Sequence, residues 1–378
     1  MAKIFFFSFL GTFFTRIKKG FFLLTSNIIL GTFAFSFIPI FLKEQGFSPL
    51  WLIFLYALYS GFGVLMIPIV SQFYLKTFLF LGFIFSGLAA LAFAFLPIKT
   101  AFVAFALLIG INLVIFWIPL NFIFFRQSEK QTNARDSFFY MAAPGLISMA
   151  MPLLGAWVIQ TKGYQWMFTL TGVGFLVPLF FLQKLIGQEF AEAKFMEGIR
   201  RYKSLKIITL CEGALQYFSG VVIPIYGLFF LRTESDVGRF LGYLGLIGFV
   251  IALLLAHRSD HTLQRKKYVF VLFLLMAATI AFLSFVHNIF QWYLAVGIFT
   301  IISTVSSPLR LAISLDSKKS DLGFWKTREF FLNLGRVITL GVTMIFFWKK
   351  LYWLAFIMYA GIALMYPFLV KIKLNEVK

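Results

Sequence analysis

The sequence predicts an all-α polytopic membrane protein, with twelve transmembrane helices arranged as two six-helix bundles. Three observations carry that expectation. The 378 residues are 61% hydrophobic and only 13% charged, with a mean hydropathy of +0.92, against roughly 45–50% apolar and about 25% charged in soluble domains. Runs nearly free of charge recur along the whole chain, and short motifs recur at an offset near half its length. A water-soluble globule is excluded. With one cysteine and no low-complexity tract, so are a disulfide scaffold and a disordered chain.

The apolar runs fall at about 20–42, 48–75, 77–97, 100–125, 137–161 and 164–183, then at 207–231, 238–256, 268–286, 288–309, 330–348 and 351–370. Each matches the roughly 20 residues that a helix needs to cross a bilayer. Residues 4–14 are apolar but too short, and the basic Arg16, Lys18 and Lys19 follow them, the reverse of a signal peptide. Residues 1–19 therefore read as an interfacial segment leading into the first span. The expected division is an N-terminal bundle over 20–183, a cytoplasmic linker over 184–206, and a C-terminal bundle with a short tail over 207–378. The linker mixes Glu189, Glu192 and Glu197 with Lys194, Arg200, Arg201 and Lys203, and reads as an amphipathic helix.

A net charge of +20 first suggests a nucleic-acid partner. That reading needs a basic face on a soluble fold, whereas these basic residues sit in short gaps between apolar runs. Nucleic acid is excluded. With both termini placed inside, 26 Lys and Arg fall on cytoplasmic segments, 7 on outer ones, and Arg336 within a span. Such a bias over short loops follows the positive-inside rule. Both termini are expected in the cytoplasm and the chain in the cytoplasmic (inner) membrane.

The internal repeat is a series of matches in chain order. Phe37-Ile38-Pro39-Ile40 matches Val222-Ile223-Pro224-Ile225 at an offset of 185, which also carries Asn27 onto Glu212. Arg126 maps onto Arg310 at 184, Ser71-Gln72 onto Ser259-Asp260 at 188, and Arg135-Asp136 onto Arg328-Glu329 at 193. Parallel six-helix halves are the architecture of transporters that rock about a midplane site.

On these residues the chain resembles the major facilitator superfamily, as a divergent bacterial-type member. GYQWMF (163–168) looks like the Gly-aromatic-Arg-Trp-x-Phe signature before that family's sixth helix. AHRSDHTLQRKK (256–267) is similar to its loop motif of a small residue, an Asp and a basic cluster, and REFFLNLGR (328–336) resembles the start of its eleventh helix. The first-half loop around Ser71–Lys76 lacks the expected Asp, and Met151–Ala156 only half matches the antiporter pattern, so antiport does not follow. The resemblance implies the major facilitator fold, a cavity lined by the seventh helix and flanked by the eleventh, and loop contacts that hold the cytoplasmic side closed.

Ionisable residues inside a span cost about 2.5–3.5 kcal/mol on insertion scales and usually serve function. Glu212 lies six residues beyond Lys206, about 9 Å deep, and Arg336 eight beyond Arg328, about 12 Å deep. They are expected to pair or share a polar site, with Glu212 exchanging a proton. A structural ion pair is the competing reading. Asn27, at the repeat position of Glu212, with Gln216 and Asn112, are the expected substrate hydrogen-bonders, against buried amides that only join helices; Asn121 is a further neutral polar candidate. Arg328, Glu329, Asn333 and Arg336 form one helical stripe. With Arg135, Asp136, Asp260 and Arg310 they are the expected gating set, Asp260 capping a helix start and meeting Arg310.

No metal or cofactor is expected. His257 and His261 share a helix face, but the third histidine, His287, is predicted on the opposite side. Cys211 has no histidine partner, and no phosphate-binding glycine loop appears. The outer loops hold only Glu44, Glu234 and Asp236 as acids, too few for a polytopic lipid-modifying enzyme. The expected function is not enzymatic. It is secondary transport of a small, amphipathic or apolar solute by alternating access, with protons as the candidate coupling ion and membrane lipids as surroundings, by a monomer. A lipid translocase or a non-transporting relative is the alternative, and after these a polytopic lipid-modifying enzyme.

Overall fold

The computed structural model describes residues 18–126, 128, 133–256, 265–318 and 320–375. The interfacial reading of the N-terminal segment falls almost wholly outside them, as does Asp260. Among the described residues, twelve helices are long and apolar enough to span: α1 Gly20–Glu44, α2 Pro49–Ile69, α3 Leu75–Phe95, α4 Ile98–Phe125, α5 Asp136–Lys162, α6 Tyr164–Leu185, α7 Lys203–Gly227, α8 Glu234–Ala252, α9 Tyr268–Phe285, α10 Ile289–Ser317, α11 Leu322–Trp348 and α12 Tyr352–Ile372. The side on which odd-numbered spans begin is called the near side below, and the opposite side the far side.

The repeated Ile-Pro-Ile motifs interrupt α1 and α7 in corresponding places. Proline lacks an N–H, and its ring presses on the carbonyl four residues back, here at Phe35 and Gly220. The helix yields locally in each case, as a 3₁₀ turn at Phe35–Phe37 in α1 and a π turn at Phe218–Val222 in α7. Such adjustments re-satisfy freed backbone groups without water, and π turns often accompany functional sites.

The largest departures from the expected limits fall in two spans. α10 runs through Pro308 to Ser317, and α11 already opens at Leu322. The start of α11 is fixed by Asp321, whose carboxylate accepts from the Phe324 N–H at 2.7 Å, an N-cap bond. Arg310, Lys326 and Arg328 are therefore helical and buried rather than in a cytoplasmic loop. The linker differs as well. Its one helix is the short Phe195–Arg201, preceded by a strand β2 (Phe190–Glu192) that pairs antiparallel with β1 (Gln72–Tyr74) between α2 and α3. Buried Lys326 donates to the Ala193 carbonyl at 3.0 Å, fastening the linker to α11.

Helix pairs inside a bilayer gain little from hydrophobicity, so close approach at small residues and polar contacts decide their packing. α7 and α11 cross with Gly213 against the Leu332 backbone and Gly335 against the Leu210 backbone, where an added Cβ would collide with a carbonyl oxygen in each case. Between the halves, α8 lays Gly238 and Gly245 on Pro152 and Ser148 of α5 at backbone contact.

The α7–α11 crossing tolerates no side chain at its glycines. Gly213→Val is expected to cost about 3 kcal/mol through overpacking and to lower the thermal midpoint of the purified protein. Gly341→Ala in the same α11, where open space surrounds the new methyl, leaves it unchanged within error; a similar loss in both variants would contradict this packing.

Candidate functional site

Three confluent lobes of about 450, 470 and 460 Å³ form a chamber between the halves. Ile28, Tyr59, Ile109 and Trp117 line both of the first two lobes, and Ser36, Ser219 and Gly220 line both the first and the third. The interrupted turns of α1 and α7 thus face the same space. Such volumes suit a small organic ligand.

The second lobe holds the chamber's charge, and all of it comes from the second half. Glu212, Gln216, Arg310, Arg328, Glu329 and Arg336 line it, with Asn121, Tyr140, Trp117 and Trp325. Glu212 is 1% exposed and Arg328 3%. Their side chains meet at 2.6 Å, and the Tyr366 hydroxyl of α12 donates to Glu212 Oε1 at 2.8 Å. Burying two charges is offset only when both find good partners.

The expected pairing of Glu212 with Arg336 is corrected. Arg336 donates instead to Gln216 Oε1 at 2.6 Å and to Asn333 Oδ1 at 2.8 Å, and stacks its guanidinium 4.7 Å from the Tyr217 ring centre. The reason is depth. α11 begins six residues before Arg328, which puts Arg328 about 9 Å inside and Arg336 about 21 Å. Helical side chains also lean toward the helix N-terminus, so Glu212 reaches back to Arg328, and Gln216, one turn later, meets Arg336. Glu212 and Arg336 still share the lobe.

The loop setting expected for Arg310 is corrected too. It is 5% exposed within α10, donates to Ser307 Oγ at 2.6 Å and lies 5.8 Å from the Phe273 ring centre. Asn27 and Asn112 line the first lobe, where Asn112 donates to Ser86 Oγ at 2.7 Å. Asn333 is fully buried behind the stripe and donates to the Glu329 carbonyl. Asp136 opens α5 and accepts from Ser128 Oγ at 2.8 Å. Arg135 precedes it in the full helix, Asn133–Lys162, and its side chain falls outside the described set. The cysteine, Cys211, is half-buried in α7 and His287 is exposed at the far side. Among the described residues no His, Cys, Asp and Glu gather into a metal site.

Contacts join the halves on both sides of the chamber. At the near side Asn121 donates to Glu329 Oε1 at 3.2 Å and accepts from the Tyr140 hydroxyl at 2.6 Å. Asn133 donates to Asp316 at 2.9 Å, and the Phe125 and Trp325 rings stack at 5.1 Å. Midway, Ser60 donates to the Tyr217 hydroxyl at 2.9 Å, and at the far side Lys43 donates to the Leu228 carbonyl at 2.6 Å. Tyr366 and the lining tyrosines escaped the sequence reading, since nothing distinguishes them among 14 tyrosines.

Comparison with solved structures matches this arrangement over nearly its whole length. The human organic anion transporter MFSD10 (TETRAN) superposes with a TM-score of 0.65 at 14% identity, covering 94% of this chain and 98% of that one. A POT family transporter in complex with a thioalcohol-conjugated peptide gives 0.67 at 12% identity, covering 96% and 98%. Another, in complex with 5-aminolevulinic acid, gives 0.65 at 11%, covering 94% and 96%. The chain has the major facilitator fold. No family model and no curated protein matches its sequence. In this major facilitator fold the charged lobe sits where α7, α10 and α11 meet α1, α2, α4 and α5.

The Glu212–Arg328 pair should behave as a coupled unit. Removing one partner strands a buried charge and typically costs 3–5 kcal/mol. Arg328→Gln alone is expected to lower stability by about that much, and combining it with Glu212→Gln to recover part of the loss. Additive losses in a double-mutant cycle, measured by thermal unfolding in detergent, would contradict the pairing.

Proposed function

We propose that this protein is a secondary active transporter carrying a small amphipathic solute across the cytoplasmic membrane by alternating access, coupled to protons through Glu212. The reading rests on the chamber between two repeat-related halves, with its ionisable residues gathered in one lobe and contacts joining the halves on either side. It is also supported by the printed names of the similar structures, all of transporters, two of them holding small solutes. One chain supplies the whole chamber, so a monomer suffices, and the role is transport rather than catalysis.

The physical sequence is short. Opening the near side breaks the Asn121–Glu329 and Asn133–Asp316 bonds and separates Phe125 from Trp325. Opening the far side breaks the Lys43–Leu228 bond. A typical hydrogen bond contributes a net 0.5–1.5 kcal/mol, so a solute's differential affinity for the two states is enough to shift them. A proton arriving on Glu212 cancels its charge and releases the Arg328 guanidinium into the lobe, while the Tyr366 hydroxyl keeps the neutral carboxyl in place. This links proton occupancy to the electrostatics of the solute site. Glu329, with Asn333, Asp136 and Arg135, belongs to the proposed near-side gate. Asn27, Gln216 and Asn112 are the proposed hydrogen-bonders for the solute.

Both termini are assigned to the cytoplasm from the bias of basic residues toward near-side segments. A reporter fused to the C-terminus, active only in the cytoplasm, is expected to be active; inactivity would reverse the orientation. Purified protein in proteoliposomes is expected to accumulate at least one solute of a panel of small acids, amines, neutral compounds and lipids under an imposed pH gradient. Glu212→Gln should abolish the gradient response while leaving solute exchange. Flux unchanged in its pH dependence would remove Glu212 as the coupling residue. Absence of flux from folded protein across the whole panel would favour a non-transporting relative.

A further inference from the structure

The charged lobe does not balance. It holds three guanidiniums, those of Arg310, Arg328 and Arg336, and two carboxylates, those of Glu212 and Glu329. Glu212 is taken by Arg328 at 2.6 Å. Glu329, on the same helix as Arg328 and Arg336, interacts electrostatically with both and accepts from Asn121. Arg310 is the cation left over. Glu212, Tyr366 and Arg328 are the ionisable groups around it, yet its one strong bond is to neutral Ser307. Its Nε and Nη1 have no hydrogen-bond partner, although the side chain is only 5% exposed. A guanidinium offers five N–H donors, and at least three of Arg310's, on Nε and Nη1, are unused. Arg336 leaves its own Nε unpartnered in the same lobe.

A buried cation short of partners is costly unless an anion meets it. The lobe's surroundings limit what that anion can be. With both carboxylates ionised its excess is one charge, so a monoanion neutralises that state of the lobe and a dianion would overshoot it. Beyond the arginines the walls turn apolar and aromatic, with Ile28, Tyr59, Ile109 and Trp117 leading into the first lobe.

We propose that the solute is a small amphipathic monoanion whose carboxylate-type head docks on Arg310 and whose apolar body lies along the Ile28–Trp117 wall. This rests on the transport reading and names the chemical class that it left open. The solute head supplies the charge-assisted hydrogen bonds, roughly twice as strong as neutral ones, that Arg310 lacks. Ser307 holds the guanidinium in place from behind.

The test uses four probes built on one phenyl ring with different heads: phenylacetate, phenylacetamide, phenethylamine and phenethyl phosphate. Binding is read as the shift in thermal midpoint of the purified full chain over a concentration series, which converts to affinity through linkage. Phenylacetate is expected to bind at least tenfold more tightly than the amide and the amine, and more tightly than the phosphate at a pH where that ester is a dianion. Arg310→Gln should weaken phenylacetate at least tenfold, and Arg310→Lys should restore part of it. Equal or tighter binding of the amide or amine, tighter binding of the phosphate, binding of none of the four, or unchanged phenylacetate affinity in Arg310→Gln each overturns the proposal. The wild-type probe series needs no variant, so it decides the matter even if Arg310→Gln fails to fold. Phenylacetate binding through Arg310 without flux would keep the anion site and sink the transport reading. Flux of neutral or cationic solutes that phenylacetate does not inhibit would do the opposite.

Discussion

The second half of this protein is organised around one buried ion pair, Glu212 on α7 with Arg328 on α11, steadied by Tyr366 on α12. The pair requires the two helices to touch, and Gly213 and Gly335 are what let their backbones do so. It also requires Arg328 to lie well inside the span, which the Asp321 cap secures by starting α11 early. Once Arg328 is committed to Glu212, Arg336 is left to Gln216, Asn333 and the Tyr217 face, and Arg310 is left nearly alone. The charge distribution of the chamber follows from that one commitment. A buried pair is weak evidence for stability in itself, and fixing one arrangement over its rivals is a better-attested use of buried polar groups.

The halves divide their chemistry unevenly. The first contributes neutral groups to the chamber, among them Asn27, Asn112, Asn121, Ser86 and Tyr59, and the second contributes every charge. Their junctions are of two kinds. The α5–α8 contact is a stripe of small residues at backbone distance, with close packing in place of polar chemistry. The near-side and far-side contacts are discrete hydrogen bonds and one ring stack, each separable alone.

Some of the site was readable without coordinates. Glu212 and Arg336 stand out because ionisable residues are rare within apolar runs, and Asn27 follows from Glu212 through the repeat. The paired Ile-Pro-Ile motifs mark where α1 and α7 are distorted, because proline acts on the backbone four residues back whatever surrounds it. Arg310 and Arg328 fall just outside the charge-free runs for an equally physical reason. Charge-free runs locate the lipid-facing part of a helix, and these two charges face the interior, so the runs stopped short at 309 and began late at 330. The Asp321 cap was the available signal for the true start of α11. The strand pairing of β2 with β1 left no such trace, because three-residue strands carry almost no pattern.

By itself the sequence determined the membrane class, the count of twelve spans and the two-fold repeat, because hydropathy and proline chemistry act locally along the chain. Twelve helices in series with this repeat leave few architectures open. The tertiary structure alone decided which charges meet. Partner choice among Glu212, Arg310, Arg328 and Arg336 depends on helix rotation, on the depth set by one N-cap and on a crossing point set by two glycines. Those are relations between Glu212 and arginines 98 to 124 residues further along the chain, and no local pattern encodes them.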